Sequence, residues 1–268
     1  MRKITFVACA VIAVLFAGVT LHAAEQTAFD AGRKIMEEAD SRNSCHYETT
    51  NIKMEIIDKR NTVHIRRLII YKKSAADNTL QTLIRFRAPE DVKGVGLLTI
   101  EHADRQSDQW LYLPILRKNK RIAAASKKNS FVGTDFTFED LQPEDLSRHD
   151  YELLREEDFD GQACFVIEAT PAQDEAAYSG YKARKIWIKK DIYVPVKIEY
   201  SNPAGELQKT ESRSKITQVR EGLWRADFIL MENHRNQQKT TLDVQERDIG
   251  NIIADTKFTQ VELEQGGA

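Results

Sequence analysis

Three carboxylates and three phenylalanines interleave in one short stretch of this chain. It is "SFVGTDFTFEDL", Ser130 to Leu141, with Asp135, Glu139 and Asp140 set among Phe131, Phe136 and Phe138. Paired carboxylates can serve as general acid and base, and clustered ones can hold a hard cation. The calcium-loop pattern, with alternating oxygen ligands around a central glycine, is not present. The stretch therefore reads as a solvated loop whose phenylalanines turn inward. Just before it lies a basic run, Arg117, Lys118, Lys120, Arg121, Lys127 and Lys128. Such a run suits a charged hairpin tip or edge that discourages sheet-to-sheet pairing. By composition that reading is the favoured one; the alternative is a patch for acidic head groups or an acidic partner surface.

Other catalytic chemistry has no spelling in the chain. There is no G-x-S-x-G, no Walker loop, no H-E-x-x-H and no C-x-x-C. The histidines at 46, 64, 102, 149 and 234 are scattered, and none has a companion at metal-ligand spacing. The sequence thus nominates no catalytic residue, no metal site and no cofactor. Cys45 and Cys164 could pair in an oxidising compartment, but pairing is decided by three-dimensional geometry, and it stays open.

The elements that would position these residues follow from periodicity. Residues 26–42, "QTAFDAGRKIMEEADSR", place Phe29, Ile35, Met36 and Ala39 near one face of an amphipathic helix. Beyond them the period becomes two. Ile52, Met54 and Ile56 alternate with polar neighbours. Leu80, Thr82, Ile84 and Phe86 share one side, with Arg85 and Arg87 on the other. Phe165 with Ile167, Ile186 with Ile188, Val194, Val196, Ile198 and Tyr200, and Leu242 with Val244 continue the pattern. In "QWLYLP" both faces are apolar, Trp110 and Tyr112 on one, Leu111 and Leu113 on the other. Runs with one polar face are strands of an antiparallel sheet. "KGVG", "FDGQ", "NPAGE" and "REGLW" supply turns between them. About ten or eleven strands are expected, with one helical segment near 140–149 and a closing turn or helix near 250–260. A sheet this long must bury one side: it can curl closed, pack on a second sheet, or curl around helices. The helical material is too scarce to fill the hollow, so an apolar ligand cavity is expected.

The N-terminus gives an address. Arg2 and Lys3 precede an apolar run from Ile4 to Val19, and small residues follow at Ala23 and Ala24. This is the layout of a secretory signal peptide, residues 1–24, cleaved after Ala23 or Ala24. A single exported domain, 25–268, would remain. The full chain of 268 residues carries a net charge of −2, and loss of Arg2 and Lys3 takes it near −4. That balance does not suggest nucleic acid.

Longer segments carry a family likeness. "FRAPEDVKGVGLL" (86–98), "DQWLYLP" (108–114), "KRI" (120–122) and "SFVGTDFTFEDL" (130–141) come in that order. "YELL" (151–154), "GQACFVIEATP" (161–171), "KIWIKKDIYVPVKIEYSNPAGELQKT" (185–210) and Trp224 follow. This arrangement closely resembles the LolA-like outer-membrane lipoprotein-sorting family, in its branch of uncharacterised exported proteins. The resemblance implies an incomplete, strongly curled antiparallel β-barrel with helices over the concave face. It implies a periplasmic carrier of lipid or lipoprotein acyl chains, working as a monomer, without catalysis, beside an inner-membrane transporter of the resistance-nodulation-division type. A cargo-free adaptor or sensor on such a complex is the alternative. Members of the branch often carry a second cysteine just before the "DG" turn, where this chain has Asp158 and Phe159.

On this reading the cavity and its lid comprise Ile84, Phe86, Leu98, Trp110, Tyr112, Phe131, Phe136, Phe138, Phe165, Ile167, Ile186, Ile188, Val196 and Ile198. Asp135, Glu139 and Asp140 would tie the loop down through backbone amides. Arg117, Lys118, Lys120, Arg121, Lys127 and Lys128 would face head groups or a partner.

Overall fold

The structure is a computed structural model that describes residues 8–75 and 79–266, with side chains in the first helix described from Gln26 onward. The expected signal peptide and its cleavage point fall outside those described side chains. That first helix, α1 (Ala8–Asn43), begins earlier than the expected 26–42.

Among the described residues, thirteen strands make one antiparallel sheet. The first six are β1 (Tyr47–Ile57), β2 (Val63–Ser74), β3 (Leu80–Ala88), β4 (Gly96–Ile100), β5 (Asp108–Leu113) and β6 (Lys118–Arg121). The other seven are β7 (His149–Phe159), β8 (Gln162–Pro171), β9 (Ala183–Lys189), β10 (Pro195–Ser201), β11 (Leu207–Arg220), β12 (Leu223–Asn233) and β13 (Gln238–Ile249). Their order is β6-β5-β4-β3-β2-β1-β13-β12-β11-β10-β9-β8-β7. Two hairpin meanders therefore meet where β1 pairs with β13. The sheet is curled but not closed, and β6 and β7 are its edges.

Alternation decides which face is inside. Along β1, Glu48, Thr50, Ile52, Met54 and Ile56 are buried while their neighbours are half-exposed. Ile35, Met36 and Ala39 of α1 pack on Tyr151, Ile167, Ile186, Ile188 and Ile198 from the concave side. At Gly32 the helix comes so close to β7 that a Cβ would stand 2.5 Å from the Tyr151 carbonyl oxygen. Only glycine allows that approach.

The chain must then travel from one edge of the sheet to the other, and residues 122–148 do so across the concave face. Ile122, Phe131 and Phe138 join the core of β1–β5. Phe136 joins the core of the β7–β13 half. Helical structure near 140–149 is a single 3-10 turn, Leu146–Arg148.

The convex face of β2–β5 is covered as well. A 3-10 turn, Asp255–Phe258, and α2 (Gln260–Gln265) close the domain there. Phe258 and Leu263 pack on Leu83 and Leu98, with Tyr71, Trp110 and Tyr112 around them. Arg85, 2% exposed, donates to the carbonyls of Gly94, Leu263 and Glu262 at 2.8–2.9 Å. It thereby satisfies the Leu263 carbonyl near the C-terminus of α2 and adds a second donor to that of Glu262, which already accepts from the Gly266 N–H.

Candidate functional site: a charged cavity beside a plugged core

The carboxylates of the 130–141 stretch are rivets. Asp135 accepts from Thr240 Oγ1 of β13 at 2.7 Å. Asp140 forms an ion pair with Lys209 of β11 at 2.5 Å, both side chains 1% exposed. It also accepts from Tyr181 Oη at 2.8 Å and from its own loop's Thr137 N–H at 2.7 Å. Lys209 stands 4.9 Å from the rings of both Tyr181 and Tyr200. Glu139 accepts from Ser179 Oγ at 2.5 Å and from the Gly180 N–H at 2.8 Å. Burial pushes the Asp135 and Glu139 carboxyls up. Phe131 stacks on Phe86, ring centroids 5.7 Å apart, and meets Phe138 edge-on at the same distance. The stretch expected as a solvated loop is a plug. Its rings fill the core, and its acids mostly bond side chains of the sheet and of 179–181.

The open space lies elsewhere in the concavity. A cavity of about 770 Å³ opens between the C-terminal end of α1, Pro143 and Glu144, and the strand ends near Glu48 and Arg225. That volume lies within the usual ligand range. Ile52, Ile70, Ile229, Leu242 and Val244 form its apolar wall. Farther along the same strands the lining is ionic. Glu48, 3% exposed, is bonded by Arg225 at 3.0 Å and by Arg247. Arg247 also holds Asp227 at 2.9 Å. Arg213 is occupied by Glu211 at 2.5 Å, and Glu144 by Arg184 at 2.7 and 2.8 Å.

Burial alone would raise the Glu48 carboxyl, but Lys72, Arg225 and Arg247 together hold it down to about 2. Burial likewise opposes ionisation of Glu144, yet Arg184, aided by His149 and Tyr151, holds it at about 2. Burial pushes the Cys45 thiol up, with Glu48 adding to the effect. Cys45 lies at the cavity rim and Cys164 in the convex-face core with Trp187 and Val196; both are free thiols.

None of the nominated apolar residues lines this cavity. Ile84, Phe86, Phe131 and Phe138 fill the core of the β1–β5 half. Phe136, Ile167, Ile186, Ile188 and Ile198 fill that of the β7–β13 half, with Phe165 at its margin. Ile198 also borders a second cavity of about 230 Å³. Leu98, Trp110 and Tyr112 lie on the convex face under the C-terminal segment, and Val196 is convex because a bulge between Pro195 and Lys197 shifts the register. Among the basic residues, Arg117, Lys118, Lys120, Arg121 and Lys128 are exposed, whereas Lys127 is buried and borders the smaller cavity. Arg121 pairs with Asp108. The tip of the β5–β6 hairpin also bares Ile115, 90% exposed, and Leu116, 59% exposed.

The cavity's charged residues escaped the sequence reading because they are spread over α1, five strands and the segments after β4 and β6. Yet period two was there to extend. Counting back from Ile52 reaches Glu48, on from Ile70 reaches Lys72, and back from Ile229 reaches Arg225.

A family model described only as that of an uncharacterized protein matches residues 78–265. No curated protein matches the chain. Among solved structures, a domain from Vibrio parahaemolyticus named for outer-membrane lipoprotein sorting is 27% identical, with a TM-score of 0.84 over 88% of this chain and 100% of its own. A DUF1329 family protein from Desulfovibrio piger is 26% identical, with a TM-score of 0.83 over 88% of this chain and 99% of its own. A LolA superfamily protein from Nitrosomonas europaea shares the fold at 18% identity and a TM-score of 0.67, over 86% and 98% of the two chains.

Proposed function

Because the chain belongs to an uncharacterised branch of the LolA-like outer-membrane lipoprotein-sorting family, we propose that it is a periplasmic carrier. It binds the acyl part of a lipid or lipoprotein and moves it toward the outer membrane, as a binding protein and not an enzyme. The observation that carries this reading is the 770 Å³ cavity, whose apolar wall is built from β1, β2, β12 and β13. Each buried methylene contributes about 0.8 kcal/mol, so a modest length of acyl chain suffices for useful affinity.

The secretory layout of residues 1–24 supports export. Delivery to or from an inner-membrane transporter of the resistance-nodulation-division type rests on the family likeness alone. The β5–β6 hairpin supports a contact with a lipid surface. There the exposed Ile115 and Leu116 stand beside Arg117, Lys118 and Lys120, a pairing of apolar tip and cations that suits acidic head groups.

The test is native mass spectrometry of the mature protein purified from its own periplasm, with organic extraction of whatever is bound. A stoichiometric lipid or lipopeptide is the expected result. An empty protein that also refuses added amphiphiles would sink the carrier reading and favour the cargo-free adaptor.

A further inference from the structure

Among the described residues, one cation in the cavity has no hydrogen-bond or ion-pair partner. Lys72 lies on the inward face of β2, two residues beyond Ile70 and four beyond Leu68. Among the described residues its ammonium makes no hydrogen bond and no ion pair, although it is half-buried against the cavity. The groups that act on it are Glu48, Arg225, Cys45 and Arg247. Glu48 is already bonded by both arginines. Asp227 balances one of those arginines, and the Cys45 thiol is pushed toward its neutral form. The cluster thus holds three cations against two carboxylates, and Lys72 is the surplus charge.

The other acids at the cavity are engaged. Glu144 is held twice by Arg184, and Glu101 accepts from the Leu80 N–H at 2.7 Å. Asp40 is pushed up by burial and by Glu144. The buried Nε–H of Arg247 also lacks an acceptor. A cavity wall with spare donors and one spare positive charge is complementary to an anion.

We propose that this wall receives an acidic head group, so that the preferred ligand is an anionic amphiphile. Its carboxylate or phosphate sits on Lys72, and its acyl chain lies against Ile52, Ile70, Leu242 and Val244. The inference rests on the carrier reading and narrows it. An amphiphile with a neutral head would leave the ammonium desolvated and unpaired. Burial already drives the Lys72 pKa down, and a bound anion would relieve that penalty.

Isothermal titration of the mature protein with dodecanoate, dodecyl phosphate and dodecanol, each below its aggregation limit, tests the inference. At least one acid is expected to bind about tenfold or more tighter than the alcohol, as a charge-assisted bond implies. The tighter acid identifies the source, a free fatty acid or a phosphate-ester lipid. Lys72→Gln is expected to abolish the preference by weakening the acid while leaving the alcohol unchanged, and Lys72→Arg to retain it. Equal binding of alcohol and acids by the unaltered protein overturns the head-group inference and leaves the carrier reading standing. So does a preference that survives Lys72→Gln. Binding of none of the three overturns the carrier reading itself.

Discussion

Glu48 shows how the interior uses charge. Its carboxyl is held at about 2 in the folded chain, against an ordinary value of 4.5. The folded state therefore binds fewer protons than the unfolded chain between those values, and stability rises with pH across that window. The contribution is complete above pH 4.5 and fades as pH falls toward 2. A shift of this size corresponds to roughly 3 kcal/mol. Glu48→Gln is expected to lower stability near neutrality and to flatten the rise in unfolding free energy between pH 2 and 5 by most of that amount. Denaturant titrations at a series of pH values measure both effects. A variant as steep as the parent would show that other acids carry the dependence.

Lys209 is a stricter case, because it and Asp140 are both 1% exposed. Lys209→Met leaves a buried carboxylate with its Tyr181 and Thr137 donors but no cation. The expected loss is about 3–5 kcal/mol in denaturant unfolding. A loss below 1 kcal/mol would mean that the plug does not depend on this rivet. Neither role was legible in the sequence. Lys209, Glu211 and Arg213 alternate as a polar strand face would, and only the curl of the sheet turns that face inward.

Regular elements were far more legible than their edges. The turns at 159–162, 202–206 and 220–224 fall between strands as their residues require, and Ile35, Met36 and Ala39 do form the buried stripe of α1. Thirteen strands appear where ten or eleven were expected. Strands such as β6, "KNKR", have no apolar residue to count, and β11 is polar on both faces for most of its length. Both apolar faces of "QWLYLP" are used: Leu111 and Leu113 look inward, and Trp110 and Tyr112 lie beneath the C-terminal turn and helix.

The hairpin of β5 and β6 makes a separate prediction. Its apolar tip contributes nothing to the core, so Ile115→Asp with Leu116→Asp should leave the thermal midpoint within about a degree, as surface changes do. The same pair should sharply reduce co-sedimentation with vesicles containing phosphatidylglycerol, by burial lost and charge repelled. Undiminished sedimentation would remove the lipid-surface contact from the proposal.

The curled sheet has two halves that share one concavity, and the segment between its edges divides that space. Toward the β1–β2 and β12–β13 hairpins it is plugged by Phe131, Phe136 and Phe138. Arg66 donates to the Val132 carbonyl at 2.6 Å and Gln238 to that of Gly133 at 3.1 Å. Toward the other end the 770 Å³ cavity remains. This is the larger of the two cavities described, and a bound ligand should appear there at one per chain. By mass action, ligand at a hundredfold its dissociation constant adds about 2.7 kcal/mol to stability, which raises the melting temperature of a chain this size by roughly 5–10 °C. Ile70→Trp fills the apolar wall from β2. It is expected to keep the fold, judged by circular dichroism, and to lose both the bound species in native mass spectra and the ligand-induced rise in melting temperature. Phe131→Ala should do the opposite. It should cost about 3–5 kcal/mol of stability through the cavity it opens in the core and leave the one-to-one ligand in place. If instead Phe131→Ala releases ligand and Ile70→Trp does not, the cargo lies under the plug, and the aromatic segment is a lid after all.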